Sequence, residues 1–149
     1  APLWEVNLDY KCGTGHGIGY VLGVHEGPQG FGRGPRRTTL KEGMVVTIEP
    51  GVYKADKFGI RLENDYVVVP AGEDELQGDQ YFRFDCLTFV PFDRETIDPS
   101  LLSKVELQWI NDYHAACYDK LQEHFTEEDL SWLKEACAPL TDDTQRNEP

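Results

Sequence analysis

His16 stands in a glycine-dense run, Lys11-Cys12-Gly13-Thr14-Gly15-His16-Gly17-Ile18-Gly19, and His25 follows in Val24-His25-Glu26-Gly27-Pro28. Two carboxylates, Glu49 and Glu63, each lie between apolar β-type residues. Their settings are Val45-Val46-Thr47-Ile48-Glu49-Pro50-Gly51 and Gly59-Ile60-Arg61-Leu62-Glu63-Asn64-Asp65. Glycine leaves room for a ligand, so the first run reads as a loop where the backbone comes close to something small. One imidazole and two carboxylates from separate stretches could converge on a hard or borderline divalent cation. A dinucleotide is excluded, because Ile18 stands where the last glycine of G-x-G-x-x-G belongs and no βαβ unit surrounds the run.

For those groups to meet, strands must carry the acids and a loop must carry the imidazole. Leu8, Tyr10 and the glycines after them predict a loop entering the site, and Tyr20-Val21-Leu22-Gly23-Val24-His25 is β-prone. Gly27 to Pro35 is a Gly/Pro loop with a basic end at Arg36-Arg37. After a turn from Thr38 to Gly43, Met44 to Ile48 predicts a strand. It stops at Pro50-Gly51, since proline cannot donate to a ladder. Ile60 to Glu63 and Tyr66 to Val69 predict a second strand region, with Ile60 and Leu62 on one face and Arg61 and Glu63 on the other. An acidic, solvated turn from Glu73-Asp74-Glu75 to Asp79 precedes a third, Tyr81 to Phe84 and Cys86 to Val90, ending at Pro91.

From Asp98 the period becomes helical. Asp98 predicts an N-cap with Pro99 at the first helical position, and Leu102, Val105, Trp109, Tyr113, Cys117 and Leu121 recur at steps of three and four. Thr126-Glu127-Glu128-Asp129 opens a second helix with acids at its positive end, and Leu130, Leu133 and Cys137 line one face before Pro139. His114 and His124 read as helix-surface residues, Cys117 and Cys137 as core or face thiols. The fold class is therefore α+β, antiparallel strands up to Val90 and then two helices, over 1–140. Residues 141–149 form a polar tail. No internal repeat and no linker marks a second domain.

At 149 residues, 40% hydrophobic and 28% charged, the chain has the composition of a soluble globular domain or a piece of one. A net charge of −13 argues against nucleic acid and against an anionic membrane surface as partners. No apolar run is long enough to span a bilayer. Cys12, Cys86, Cys117 and Cys137 form no C-x-x-C pair, which predicts free thiols in a reducing, cytoplasmic compartment. The opening Ala1-Pro2-Leu3-Trp4 reads as the middle of a fold.

Four short motifs, in this order, resemble the C-terminal half of the pita-bread (creatinase/aminopeptidase) metallopeptidases, most closely the Xaa-Pro aminopeptidases. They are Gly13-Thr14-Gly15-His16-Gly17, Val24-His25-Glu26-Gly27-Pro28, Thr47-Ile48-Glu49-Pro50-Gly51-Val52-Tyr53 and Gly59 to Asp65. The resemblance implies a curved antiparallel sheet and hydrolysis of the bond between an N-terminal residue and a following proline. It implies two divalent cations, Mn2+ or else Co2+ or Zn2+, with His16, Glu49 and Glu63 as ligands and Glu49 helping to take the proton from the attacking water. By the same resemblance His25 binds substrate or the tetrahedral intermediate, Arg61 and Tyr53 hold the site from behind, and Cys12 replaces a histidine that contacts substrate in many relatives. A thiol is a weaker donor there.

The family site also needs two aspartates upstream of the histidine loop. Only Glu5 and Asp9 precede His16, in surroundings unlike the family's motifs. This predicts a fragment that binds metal incompletely, is inactive alone, and has the missing N-terminal part of the same protein as its partner. Trp109, Asn111, Tyr113 and His114 resemble the tail of the larger, three-domain relatives, which commonly dimerise, so a homodimer is a further expectation. The alternatives are a prolidase, or a pita-bread domain that has lost its metals and binds proteins. Methionine aminopeptidase is disfavoured by the long stretch from Tyr81 to Pro139.

Overall fold

The computed structural model describes residues 2–21, 23–33, 38–73 and 76–141. Leu22, the Arg36-Arg37 end of the Gly/Pro loop, Asp74-Glu75 of the acidic turn and the tail beyond Thr141 lie outside the described residues. The chain divides into two compact units, Ala1–Thr88 and Phe89–Pro149.

The first unit runs α1 (Pro2–Glu5), β1 (Gly15–His16), β2 (Gly30–Phe31), β3 (Val45–Ile48), β4 (Gly51–Lys54), β5 (Phe58–Arg61), β6 (Asn64–Glu73) and β7 (Gln80–Cys86). Antiparallel pairing gives the sheets β1-β2, β3-β6-β7 and β4-β5. The β-branched run Val45-Val46-Thr47-Ile48 makes β3, which pairs with the central strand β6, and Val46 on β3 and Val68 on β6 are fully buried anchors of the pair. In β3-β6 Ile48 pairs with Asn64, and in β4-β5 Gly51 pairs with Arg61. The register is the same on both sides, so the two sheets are one ribbon interrupted at Glu49-Pro50 and Leu62-Glu63. The predicted second strand region, Ile60 to Glu63 and Tyr66 to Val69, is thus divided between two sheets. Pro50 has no N–H to give the ladder, and the Glu49 N–H is turned away to the Thr14 carbonyl at 2.7 Å.

Two strand expectations are corrected. The described part of Tyr20 to His25 forms bends: Gly19 N–H bonds Gly23 O at 2.7 Å and Val21 takes φ +54°, folding the chain back on itself. The last strand stops at Cys86, where Leu87 N–H bonds Asp65 O and the Cys86 thiol bonds Thr88 O.

In the second unit, Asp98 does not start the long helix. It caps the short 3-10 turn Pro99–Leu101. Helix α2 (Lys104–Leu121) starts after Ser103, whose hydroxyl accepts the Glu106 N–H while the Glu106 carboxylate accepts the Ser103 N–H. Helix α3 (Glu127–Ala136) is capped by Thr126 as expected. Val105 and Trp109 stay exposed, so only the C-terminal part of the predicted α2 stripe is covered. Asn111 on α2 grips Leu140 after α3 by paired bonds of 2.8 and 3.1 Å.

His114 is the correction that matters most here. It has no exposed surface, and its Nε2 accepts the Phe92 N–H at 3.1 Å. Burial first, then the nearby Arg94 charge, pushes its pKa below 6.5. His124 is exposed as expected, and Cys117 and Cys137 are buried. All four cysteines are free thiols.

Candidate metal centre

The candidate site lies at the break in the ribbon. The unbroken register sets Glu49 across from Glu63, with Thr47 opposite Asp65 one step along the same face. His16 reaches this face from β1, because Gly15 lets the strand lie against β3. A Cβ on Gly15 would stand 1.9 Å from the Thr47 carbonyl oxygen. Main-chain bonds on both sides of Gly15 hold the approach: Glu49 N–H to Thr14 O at 2.7 Å, and His16 N–H to the Thr47 hydroxyl at 3.0 Å.

His16 Nε2 lies 2.7 Å from Glu49 Oε1, while Nδ1 lies 2.9 Å from the Gly17 carbonyl. A carbonyl can only accept, so Nδ1 carries a proton and Nε2 faces the carboxylate. A neutral ring satisfies only one of these acceptors. An imidazole nitrogen beside carboxylate oxygens is a donor set that suits a borderline divalent cation. Arg61 Nε reaches the other Glu49 oxygen at 3.4 Å, and its guanidinium sits 5.4 Å from the centre of the Tyr53 ring.

Glu63 is the uncompensated member. Its pKa is raised, first by desolvation and then by repulsion from Glu49 and Asp65, with Arg61 and His16 opposing. Among the described residues no three His, Cys, Asp or Glu side chains draw together closely enough to cage an ion by themselves. Asp9 is not a spare ligand. Arg33, Lys11 and Trp4 occupy its carboxylate, and hydrogen bonds from Arg33 and then Lys11 hold its pKa far below the usual range.

His25 is exposed, with its ring centroid 4.3 Å from that of His16 and the planes 48° apart. Its loop is tied down by Glu26 N–H to Gly17 O at 3.0 Å. Cys12 directs its thiol to the Gly51 carbonyl at 3.2 Å, so its proton is committed to the backbone. The structure thus gathers His16, His25, Glu49 and Arg61, sets Glu63 across the break and Tyr53 beneath Arg61, and turns Cys12 to the main chain. Sequence reasoning missed Thr47, whose hydroxyl lies 3.1 Å from Glu49 Oε1. The available signal was a hydroxyl two residues before the acid, and therefore on the same face of a strand otherwise made of valine and isoleucine.

A sequence model described as "Metallopeptidase family M24" matches residues 1–70, and one described as "C-terminal region of peptidase_M24" matches residues 80–140. Aminopeptidase P1 of Lotus japonicus is 44% identical over 141 residues, covering 93% of this chain and 21% of that protein. The Probable Xaa-Pro aminopeptidase P of Aspergillus fumigatus is 45% identical over 145 residues, covering 93% and 22%. The crystal structure of X-prolyl aminopeptidase from Caenorhabditis elegans, described as "a cytosolic enzyme with a di-nuclear active site", matches with a TM-score of 0.81 at 43% identity. That match covers 93% of this chain and 23% of the other. The chain thus spans 21–24% of the length of the curated relatives it matches.

Proposed function

The chain belongs to metallopeptidase family M24 and has the α+β fold of the C-terminal half of a pita-bread domain, and from that premise we propose that it is part of an Xaa-Pro aminopeptidase. Its substrates are peptides with proline at the second position, and its cofactor is a pair of divalent cations, Mn2+ by the family resemblance. The observation that carries the reading is the His16–Glu49 contact: a ring nitrogen, its partner nitrogen already committed to a carbonyl, faces a carboxylate oxygen at 2.7 Å.

His16 Nε2, Glu49 and Glu63 would hold the cations, together with ligands from elsewhere in the complete polypeptide. When bound, such a pair supplies acidification of a water and polarisation of the scissile carbonyl. The remaining work falls to side chains of this chain. Glu49 accepts the proton of the attacking water on a carboxylate whose orientation Arg61 fixes through Oε2. Tyr53 lies against that guanidinium and limits its swing. His25 would hydrogen-bond the substrate carbonyl as it becomes tetrahedral, a role its exposure beside His16 supports. Cys12 acts through Gly51, at the start of β4, and so orients the segment carrying Tyr53 rather than substrate itself.

The isolated chain should be inactive, because His16, Glu49 and Glu63 are too few to hold two cations. The missing N-terminal part of the polypeptide is its principal partner. A second copy is a further partner by family resemblance, read out by light scattering. A cytosolic setting is supported by the description of the Caenorhabditis elegans enzyme, and no helix among the described residues is long and apolar enough to cross a membrane.

The test is hydrolysis of Xaa-Pro-Xaa tripeptides by the complete polypeptide with Mn2+, abolished by a chelator, beside the isolated chain, which should hydrolyse nothing. Strict use of Xaa-Pro dipeptides would move the assignment to prolidase. Failure of the complete polypeptide to bind metal or cleave either peptide would leave a protein-binding domain.

A further inference from the structure

We propose that Thr47 is a positioning residue of this centre: its hydroxyl couples the main chain of His16 to the carboxylate of Glu49 and so sets where the two metal-facing groups stand. The inference rests on the reading of His16 and Glu49 as ligands and adds a residue to it.

Thr47 is 2% exposed, in a strand whose other members are Val45, Val46 and Ile48. A buried hydroxyl is costly unless both its donor and acceptor capacities are used. Both are used, and the direction of each bond is forced. His16 N–H can only donate, so it gives its proton to Thr47 Oγ1 at 3.0 Å. The hydroxyl proton is then free for Glu49 Oε1 at 3.1 Å. That same oxygen receives His16 Nε2 at 2.7 Å. These contacts run from the His16 main chain through Thr47 to Glu49, whose carboxylate stands beside the His16 ring.

The link matters because β1 is otherwise held to β3 by the Gly17–Val46 bridge and by main-chain bonds at Thr14 and Ile18, none of which engages the His16 amide or either metal-facing side chain. With the hydroxyl gone, His16 N–H loses its acceptor and the Glu49 carboxylate keeps only His16 and Arg61. No bond then ties the His16 main chain to the Glu49 carboxylate. Partners of metal ligands typically change metal affinity about 10- to 100-fold when removed.

Two substitutions separate positioning from packing. Thr47→Val keeps the volume and removes the hydroxyl, whereas Thr47→Ser keeps the hydroxyl and removes a methyl. In the complete polypeptide, calorimetric titration with Mn2+ should give a Kd raised about 10-fold or more in T47V and within about threefold of wild type in T47S. In the metal-free protein, exchange of the His16 amide proton should quicken in T47V and stay near wild type in T47S. A purely structural role predicts the reverse order, with T47S the weaker binder because it leaves a cavity. That order, or unchanged Mn2+ affinity in a folded T47V, overturns the proposal. His16→Ala is the control for the underlying reading: if it binds Mn2+ as wild type does, the ligand assignment itself is wrong, whatever T47V does.

Discussion

Gly15→Ala should break the centre without touching a single ligand. The added Cβ would lie 1.9 Å from the Thr47 carbonyl oxygen, 2.9 Å from its carbon and 3.2 Å from the Phe31 ring. The two closest atoms are backbone, held in the β3-β6 pairing where Thr47 faces Asp65, so they cannot swing aside as a flexible side chain would. Ordinary contact requires β1 to withdraw by roughly 1.5 Å. That withdrawal stretches the Glu49 N–H to Thr14 O bond and the His16 N–H to Thr47 bond, which lie on either side of residue 15. Overpacking together with loss of those bonds should destabilise the protein by about 2–4 kcal/mol. The functional loss should be larger than stability alone suggests, since a 1 Å misplacement can cost about 100-fold in a catalytic site. Gly13→Ala is the matched control, because a Cβ there meets nothing within 4 Å. Thermal melting and Mn2+ titration of both variants of the complete polypeptide decide the matter. If G15A melts and binds Mn2+ as G13A does, the close approach of β1 to β3 is not what holds His16 in place.

Further expectations concern groups that titrate out of line. Glu63 has a raised pKa, so over the interval above 4.5 the folded state holds more protons than the unfolded one and stability falls as pH rises; above that interval the ionised side chain is a standing cost. Glu63→Gln should therefore stabilise the metal-free protein at pH 7 in urea denaturation, with the gain disappearing below 4.5; a destabilised E63Q at pH 7 would refute the crowding of these carboxylates. His114 has a lowered pKa, so below 6.5 the unfolded state holds more protons and stability is lost as pH falls. His114→Gln should flatten that part of the stability-versus-pH curve, and an unchanged slope would mean that His114 does not set it.

The strand content was readable wherever β-branched residues clustered and proline stopped the ladder, as in Val45 to Pro50. Helix α3 was readable from Thr126 and its acids. The start of α2 was misread because Asp98-Pro99 has the chemistry of a cap, but caps a single 3-10 turn. The box formed by Ser103 and Glu106 was present in the sequence and stronger, since it satisfies two N–H groups reciprocally. Tyr20 to His25 defeated propensity because Gly19 and Gly23 bond each other across a tight reversal. His114 was read from helical spacing alone. The partner that makes it a core residue is a backbone N–H at Phe92, more than twenty positions away, and no local pattern announces it.

The candidate site was legible as residue types and invisible as geometry, and the reason lies in the alternation along β3. Asp65 turns its main-chain groups towards β7, where its carbonyl accepts the Leu87 N–H, so Thr47 opposite it, and with it Val45 and Glu49, turn theirs towards β1. Ile18 N–H therefore bonds Val45 O at 3.4 Å and Glu49 N–H bonds Thr14 O at 2.7 Å. With the Gly17–Val46 bridge, these bonds set the glycine loop on β3 and bring His16 to the Glu49 carboxylate. Pro50 acts on the opposite edge, where it has no N–H to give the ladder and the ribbon breaks between Glu49 and Glu63. The glycine before the histidine lets the loop come close, and the proline after the acid ends the ladder beyond it.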